Sequence, residues 1–199
     1  YRHNGNDFTP IQAIKTINDI LTYLGIEGNE CNALKVVNIE FGINIIPDTD
    51  IKNLINGLYF YKKTPFKVGD FPYFKKTDAT SYKQIKAYAK GLQFSNNTEY
   101  RIDKNTLRFE VKTKQAKFIH SLGLFTLQNL TDMNYYNALI NSLLNEWENV
   151  LLFDKSKTID DKFFNTNFWE DILKNGNRNK FNNQKKLYLK KLGADNLHT

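Results

Sequence analysis

Glutamate, tyrosine, lysine and arginine recur at alternate positions in three separate stretches of the chain. Apolar residues occupy the positions between them, which is the pattern of a strand buried on one face. The alternation predicts strands over residues 36–45, 82–90 and 107–114. Side chains two positions apart on a strand point to the same face. The predicted polar faces carry Asn38, Glu40, Gly42 and Asn44; Tyr82, Gln84, Lys86, Tyr88 and Lys90; and Arg108, Glu110, Lys112 and Lys114.

If the three strands share a sheet, two carboxylates, several tyrosines and a set of cations lie on one surface. Carboxylate oxygens suit Mg²⁺ or Mn²⁺, and a bound divalent cation neutralises charge on a phosphate. A tyrosine can act as the nucleophile that attacks phosphorus. We therefore expect metal-assisted phosphoryl transfer, with an ordinary solvated sheet face as the alternative.

The remaining pattern predicts the elements that must position these strands. Thr9 and Pro10 form a helix start and Gly25 an end, so a first helix is expected to pack on the sheet. Apolar spacing predicts further helices over residues 51–60, 115–122, 133–152, 167–174 and 179–192. The expected fold is α+β, a central antiparallel β-sheet with helices packed on one face and a small C-terminal helical extension.

The segment 61–78 alternates lysines with aromatic residues and allows two interpretations. Its aromatic residues are Phe66, Phe71, Tyr73 and Phe74. Lysines interleaved with aromatic rings suit a nucleic-acid backbone with stacked bases. The alternative is a hairpin whose aromatic side chains cover the edge of the sheet.

The composition favours a polyanionic partner. The chain of 199 residues has a net charge of +7, and such a basic balance favours nucleic acid. Its single cysteine, Cys31, fits a reducing compartment, and no apolar run is long enough to span a bilayer. We therefore expect a cytoplasmic protein without a membrane segment.

A shift in composition after Phe153 divides the chain into residues 1–152 and a basic helical extension, residues 153–199. Two short helices joined by an Asn-Gly-Asn turn are compatible with a DNA-binding appendage. The alternative is a solvated amphipathic tail. The predicted DNA contacts of the extension are Arg178, Lys180, Lys185 and Lys186.

Four short runs of the chain resemble the replication initiators of mobile elements. That group includes the filamentous-phage replication endonuclease and the plasmid rolling-circle initiators. The runs are 38–44 (NIEFGIN), 85–91 (IKAYAKG), 107–112 (LRFEVK) and 122–130 (LGLFTLQNL). The resemblance extends over about residues 8–152, and it implies that this part of the chain is a nuclease domain.

The resemblance implies a DNA nickase in which a tyrosine attacks a phosphodiester and remains linked to the 5′ end. Tyr88 and Lys90 match the Tyr-x-Lys of the middle strand, as nucleophile and as the cation that assists its ionisation. Glu40 and Glu110 match the acidic positions and would hold the Mg²⁺ or Mn²⁺. The cations expected to steady the DNA phosphates are Lys86, Arg108 and Lys112.

The chain departs from the family pattern at two points. The middle motif commonly reads Tyr-Asp-Lys, and Ala89 stands here in place of the acid. The paired-histidine metal motif of many rolling-circle nucleases is absent from the sequence. Three further tyrosines are alternative nucleophiles: Tyr82, Tyr135 and Tyr136.

The sequence thus supports three hypotheses. The first is a plasmid, phage or transposon replication initiator that nicks single-stranded or hairpin origin DNA, with a homodimer among its expected assemblies. The second is a DNA-binding module of a mobile element that has lost the chemistry. The third is an RNA-binding or structural protein.

Overall fold

A single β-sheet runs through the centre of the protein. The computed structural model of the chain describes residues 8–77, 82–176, 178–194 and 196–198. The strands are β1 Glu40–Ile45, β2 Leu58–Tyr61, β3 Thr64–Val68, β4 Phe74–Thr77, β5 Lys83–Ala89, β6 Leu107–Thr113 and β7 Val150–Leu152. The α-helices are α1 Pro10–Tyr23, α2 Ile51–Gly57, α3 Lys90–Gln93, α4 Ala116–Ser121, α5 Asn134–Glu148, α6 Thr166–Asn175 and α7 Arg178–Leu192.

The seven strands pair in the order β1–β6–β5–β4–β3–β2–β7, and every described pairing is antiparallel. Short 3₁₀ turns occupy Glu30–Asn32, Thr98–Tyr100, Leu127–Thr131 and Asp161–Phe164. The prediction of an α+β fold, with a central antiparallel sheet and helices packed on it, is confirmed.

One face of the sheet, called here the helix face, carries the main apolar core. Its residues fall at alternate positions of β5 and β6, where Ile85, Ala87, Phe109 and Val111 are all buried. Helices α2 and α5 lie over these strands. A buried ion pair between Lys83 and Glu146 ties α5 to β5, and the Tyr61 hydroxyl donates a hydrogen bond to the same glutamate. The glutamate is thereby paired, as a buried charge must be.

Helix α1 starts where the sequence predicts. The Thr9 side chain accepts from the backbone N–H of Gln12, and the Gln12 side chain accepts from the Thr9 backbone N–H, which is a capping box. Its main neighbour is the 3₁₀ turn Leu127–Thr131. Leu21 is the buried residue of this helix.

Three predicted boundaries were wrong: the start of the first strand and the ends of two helices that are followed by strands. The first strand begins at Glu40 rather than at residue 36. The helix predicted over 51–60 ends at Gly57 and continues directly as β2, and the helix predicted over 133–152 ends before β7. Both missed strands are apolar runs without alternation because both of their faces are buried.

The segment predicted as either a binding loop or a hairpin forms the β3–β4 hairpin within the sheet. Its strands are internal to the sheet, between β5 and β2. The predicted hairpin is therefore present, although it continues the sheet instead of covering its edge. Nucleic-acid binding by its lysines and aromatic residues stays a prediction.

The C-terminal unit, residues 153–198, packs against the other face of β2 and β7. Phe60 and Leu151 of the sheet share a buried cluster with Trp169, Phe181 and Tyr188. All five side chains are at most 1% exposed. The alternative of a solvated amphipathic tail is therefore wrong, because this unit has an aromatic core that includes part of the sheet.

Helices of the described residues are all too short or too polar to cross a membrane.

Candidate functional site

The predicted chemical residues meet on the second face of the sheet, called here the polar face. In the β1–β6 register Gly42 lies opposite Glu110, and in the β5–β6 register Lys86 lies opposite Glu110. Directly opposed residues share a face, and so do residues two positions away on each strand. The polar face of these three strands therefore carries Glu40, Gly42, Asn44, Gln84, Lys86, Tyr88, Arg108, Glu110 and Lys112.

Glu110 lies at the centre of this arrangement and is 1% exposed. Its Oε1 accepts hydrogen bonds from Arg108 Nε and from the Tyr88 hydroxyl, the latter at 3.0 Å. Burial by itself would raise the pKa of the Glu110 carboxyl, but the nearby Arg108 and Lys86 outweigh it, and the net pKa is lowered. Glu110 is thus a buried carboxylate held in its charged form.

Lys86 lies between the carboxylates of Glu40 and Glu110 and contacts both of them. Lys86 Nζ is 2.9 Å from Glu40 Oε1 and 3.6 Å from Glu110 Oε2. The side chain of Glu40 is 37% exposed, so it is the carboxylate that reaches solvent. The prediction that the two carboxylates lie on one sheet face and converge agrees with this geometry.

Gly42 makes room for Glu110. A Cβ atom built at Gly42 would lie 2.7 Å from Glu110 Cγ and 2.6 Å from the backbone oxygen of Phe109. Both distances are shorter than real Cβ contacts, so a larger residue would displace the Glu110 side chain or the strand. The absence of a side chain here sets the position of the buried carboxylate.

Asn44 is a site residue whose role the sequence did not predict. Its Oδ1 accepts a hydrogen bond from Arg108 Nη1 at 3.0 Å, while Arg108 Nε binds Glu110. The guanidinium is therefore held by two strands at once. The signal was present in the sequence, since alternation places Asn44 on the polar face, but its partner depends on the strand register.

Tyr88 directs its hydroxyl to Glu110 from within an aromatic surround. The ring meets Phe74 edge to face at a centroid distance of 5.0 Å and Phe71 at 6.3 Å. Burial, followed by the charge of Glu110, raises the pKa of the Tyr88 phenol. The phenol is therefore protonated, and its hydroxyl donates a hydrogen bond to the carboxylate.

Lys90 lies beside Tyr88, but it does so from a helix. It is the first residue of α3, and its Nζ lies 5.3 Å from the centroid of the Tyr88 ring and 4.6 Å from that of Phe94. Burial, with a smaller contribution from Arg108, lowers the pKa of Lys90 to about 8. The ammonium thus stands over the ring and donates to Gln93 at 3.1 Å.

Ala89 belongs to the helix face, where it is fully buried in the main core. Successive residues of a strand point to opposite faces. An acid at this position would therefore point away from the Tyr88 side of the sheet. The departure from the Tyr-Asp-Lys pattern at Ala89 therefore does not change which side chains lie on the polar face.

The three alternative tyrosines lie away from Glu110. Tyr82 precedes β5 and packs near Phe118. Tyr135 and Tyr136 are partly buried against the main core, and the Tyr136 hydroxyl donates to the backbone oxygen of Leu130 at 3.0 Å. Of the four tyrosines considered as nucleophiles, Tyr88 is the one with a described hydrogen bond to a carboxylate.

The predicted DNA contacts separate into two groups. Lys86, Arg108 and Lys112 share the polar face, with Lys112 half-buried opposite Glu40. In the C-terminal unit, Lys180 and Lys186 are exposed on α7, and the side chain of Arg178 lies outside the described residues. The fourth residue of that unit, Lys185, has a structural contact.

Lys185 donates to the backbone oxygen of Glu148 at 2.7 Å. Burial lowers its pKa to about 8. This contact ties α7 to the end of α5. The contribution of Lys185 to DNA binding stays a prediction.

The oxygen donors of the polar face meet part of what a divalent cation requires. Glu40 and Glu110 supply hard oxygen ligands, and Mg²⁺ is commonly held by one or two carboxylates together with substrate phosphates. The described part of the chain holds no group of three or more His, Cys, Asp or Glu side chains that could form a complete protein cage. The residues therefore fit a cation completed by substrate and water, provided that Lys86 moves from between the carboxylates.

An apolar cavity of about 690 Å³ lies between α1, α5 and β1. Tyr88, Lys86 and Glu110 are not among its lining residues. Its walls are mostly apolar, with Ile17 and Leu143 among them. Glu40 and Arg108 also line it, but the hydrogen-bonded pair of Tyr88 and Glu110 does not. The candidate chemistry belongs to the polar face.

Comparisons of the chain with protein-family models, with curated proteins and with solved structures find no match in any of the three. The geometry of the polar face and the short motif resemblance are therefore the grounds on which a function can be proposed.

Proposed function

We propose that the protein is a replication-initiator-like DNA nickase of a mobile element, with its active site on the polar face around Glu110. The observation that carries the proposal is the meeting of Glu40, Glu110 and Tyr88 with Lys86 and Arg108. This set contains a nucleophile, a proton acceptor and two phosphate-binding cations within hydrogen-bonded contact. It is also the set that the motif resemblance selects.

The two oxygens of Glu110 have different partners, which suggests different tasks. Oε1 accepts from the Tyr88 hydroxyl and from Arg108, whereas Oε2 faces Lys86 on the side toward Glu40. Oε1 is thus in place to take the phenolic proton as the oxygen attacks. A divalent cation, when bound by Glu40 and Glu110, would polarise the scissile phosphate.

The reaction balances with the groups at hand. The Tyr88 oxygen forms a bond to phosphorus, the bond from phosphorus to the 3′ oxygen breaks, and the phenolic proton passes to Glu110. The departing 3′ oxygen takes a proton from water. Arg108 and Lys86 offset the charge on the non-bridging oxygens, as charge-assisted donors do at phosphates.

The raised pKa of Tyr88 makes a proton acceptor necessary. A phenol that stays protonated is a poor nucleophile, so attack must be coupled to proton transfer. Lys90, above the ring, would stabilise negative charge as it develops on the phenol. We therefore assign Lys90 an assisting role, as expected from the sequence.

The direct test is a covalent-adduct assay with the full chain. A single-stranded DNA library labelled at the 3′ end is incubated with the protein and Mg²⁺ or Mn²⁺, then separated on a denaturing gel. Because the tyrosine remains linked to the 5′ phosphate of the downstream fragment, the label is expected to migrate with the protein. EDTA should remove the adduct.

Variants of four side chains test the role proposed for each of them in the reaction. Tyr88→Phe should abolish the adduct while leaving the fold intact, and Lys90→Ala should only slow it. Glu40→Gln and Glu110→Gln keep the side-chain volume and should remove activity together with its metal dependence. An adduct that persists in Tyr88→Phe would move the nucleophile to Tyr82 or to the Tyr135 and Tyr136 pair.

One observation favours a second function, a DNA-binding module without chemistry. The two carboxylates are already neutralised by Lys86 and Arg108, and the phenol of Tyr88 is protonated. DNA binding by the wild type, with no adduct under any metal, would select this function.

Homodimer formation also stays a prediction, to be measured by light scattering.

A further inference from the structure

A row of lysines leads across the polar face away from Glu110. Lys86 of β5 lies opposite Lys76 of β4, and Lys76 lies opposite Lys67 of β3. Since directly opposed residues share a face, the row Lys67–Lys76–Lys86 and Glu110 lie side by side on four neighbouring strands. This row is called here the lysine track.

The lysine track is unfavourable for the sheet itself. Like charges that face each other directly on neighbouring strands destabilise a sheet. Lys86 has two carboxylate partners, whereas the described carboxylate partner of Lys76 is Asp70 at 3.4 Å, with an Asp70 side chain that is 82% exposed. A pair this exposed contributes little to stability. Lys76 Nζ also lies 5.8 Å from the centroid of the Phe74 ring. Three lysines directly opposite one another on neighbouring strands form a basic row that suits a polyanion.

An aromatic side chain borders the track beside the candidate nucleophile. Phe71 stacks on Phe74 with the two ring planes 11° apart, and it meets the ring of Tyr88 edge to face. Part of the Phe71 side chain is exposed, whereas Phe74 is buried beneath the turn at Gly69. An aromatic ring in this position is suited to stack on a base.

The far end of the track meets the C-terminal unit. Pro65 lies two residues from Lys67 on β3 and is paired with Phe60, so both belong to the polar face. Phe60 packs against Phe181 of α7. The track therefore starts at the Glu110 cluster and ends where α7 covers the sheet.

We propose that the lysine track holds single-stranded DNA on one side of the scissile phosphate, with phosphates on Lys86, Lys76 and Lys67 and a base stacked on Phe71. This assignment rests on the proposed function, because it names the path of the strand that the nickase would cut. Neighbouring strands are about 4.8 Å apart, so the three lysines span about 10 Å. Their flexible side chains can then reach two or three successive phosphates.

The test measures binding separately from chemistry. All proteins carry Tyr88→Phe and the buffer contains EDTA, so no strand is cut. A fluorescein-labelled oligothymidylate is titrated by anisotropy over a range of salt concentrations. The variants are Lys67→Gln with Lys76→Gln, and the matched control is Lys15→Gln with Lys174→Gln, whose lysines are exposed on α1 and α6.

Loss of two phosphate contacts should weaken binding and flatten its salt dependence. On single strands each contact contributes about 0.7 to the slope of log K against log salt, so the slope should fall by about 1.4. The control pair should leave the slope within about 0.3 of the parent, a margin well below one contact. An equal fall in both pairs would overturn the track, because it would show only the effect of net charge.

Phe71 is tested by base stacking rather than by charge. Phe71→Ala should lower affinity by about tenfold without changing the salt slope, and Phe71→Trp should restore it. Phe71→Leu keeps apolar bulk without a ring and should behave like the alanine variant. If Phe71→Leu binds like the parent, the ring does not stack on a base and this part of the proposal fails.

The experiment separates the track from the proposed chemistry. A slope change together with no adduct in the wild type would retain the track and reject the nickase. An adduct together with an unchanged slope would retain the nickase and reject the track. Tighter binding of duplex DNA or of oligouridylate than of oligothymidylate would reject single-stranded DNA as the occupant.

Discussion

The polar face buries one tyrosine at each of its two ends, and the two hydroxyls have different hydrogen-bond partners. The end at β6, around Glu110, is called here the charged end, and the end at β7, covered by the C-terminal unit, is called the aromatic end. Near β6, the Tyr88 hydroxyl donates to the carboxylate of Glu110. Near β7, the Tyr188 hydroxyl donates to the backbone oxygen of Leu152 at 2.7 Å and accepts from the backbone N–H of Asp154 at 2.9 Å. Burial raises the pKa of both phenols, that of Tyr188 to about 12.

The difference lies in what each phenol can do with its proton. Tyr188 is bound to backbone groups that cannot take a proton, and its ring is packed among Phe163, Trp169 and Phe164. Tyr88 faces a charged carboxylate that can. Burial and a raised pKa are therefore common to both phenols, and a hydrogen-bond partner that could accept the proton is what distinguishes Tyr88 from Tyr188.

The largest effect on stability is expected at the aromatic end. Trp169 is fully buried and its Nε1 donates to the backbone oxygen of Phe163 at 2.9 Å. Trp169→Ala should lower the free energy of unfolding by about 3–5 kcal/mol, while Trp169→Phe, which keeps a ring, should lower it less. Urea denaturation measures both.

The same variants show whether the two ends are independent. At a temperature where Trp169→Phe remains folded, adduct formation per folded molecule should equal that of the wild type. A loss of activity without unfolding would show that the C-terminal unit also shapes the Glu110 cluster.

At the charged end, Gly42→Ala should reduce function more than it reduces stability. The new Cβ collides with Glu110 Cγ, and a displacement of about 1 Å at a catalytic group can reduce the rate by about a hundredfold. Overpacking should lower the free energy of unfolding by only about 1–3 kcal/mol. Single-turnover adduct kinetics measure the rate.

Gly28→Ala is the matched control, because no atom lies within 4 Å of a Cβ at Gly28. It should retain the wild-type rate. A Gly42→Ala variant that reacts at the wild-type rate would show that the exact position of Glu110 is unimportant for the reaction.

The charged end was the more predictable from the sequence, because its strands are buried on one side only. Alternation placed Glu40, Tyr88 and Glu110 on polar faces, and the sheet brings those faces together. The aromatic end gave no such signal. Residues 58–61 and 150–152 are apolar runs that continue helical spacing. Only their pairing in the sheet, β2 with β3 and β7, makes them strands.

The sequence alone did not predict which side chains become neighbours across the strands. Lys67 and Lys76 were seen as members of a basic aromatic segment, but their alignment with Lys86 depends on the register of the β3–β4 hairpin. The contact between Asn44 and Arg108 likewise depends on the register of β1 with β6. Lys90 was expected beside Tyr88 as a residue of the same strand. It does lie beside Tyr88, but as the first residue of α3.

Removing each hydroxyl should have a small effect on stability, and the two effects should differ. Tyr188→Phe leaves the buried N–H of Asp154 without its acceptor and should lower the free energy of unfolding by about 1–3 kcal/mol. In Tyr88→Phe the Glu110 carboxylate keeps Arg108 and Lys86, so the loss should be below about 1 kcal/mol. Equal losses in urea denaturation would contradict the contrast between the two ends.

The last prediction is a pH dependence that distinguishes two lysines. Burial lowers the pKa of Lys90, at the charged end, and of Lys185, at the aromatic end, to about 8 in each case. The unfolded chain keeps these lysines protonated up to about pH 10.5, the ordinary value. The unfolded state then binds more protons than the folded state between pH 8 and 10.5, so both lysines make stability rise with pH over that range.

DNA affinity should change in the opposite direction, and through Lys90 rather than through Lys185. Phosphates on the polar face favour the charged ammonium of Lys90, which lies next to Tyr88, and so raise its pKa in the complex. Binding then takes up a proton, and the affinity should fall as pH rises from 8 to 9.5 at constant salt. Lys90→Met should make the fall shallower, whereas Lys185→Met should retain it. Anisotropy titrations measure all three proteins, and a pH dependence that Lys185→Met removes would place the titrating group at the wrong end of the sheet.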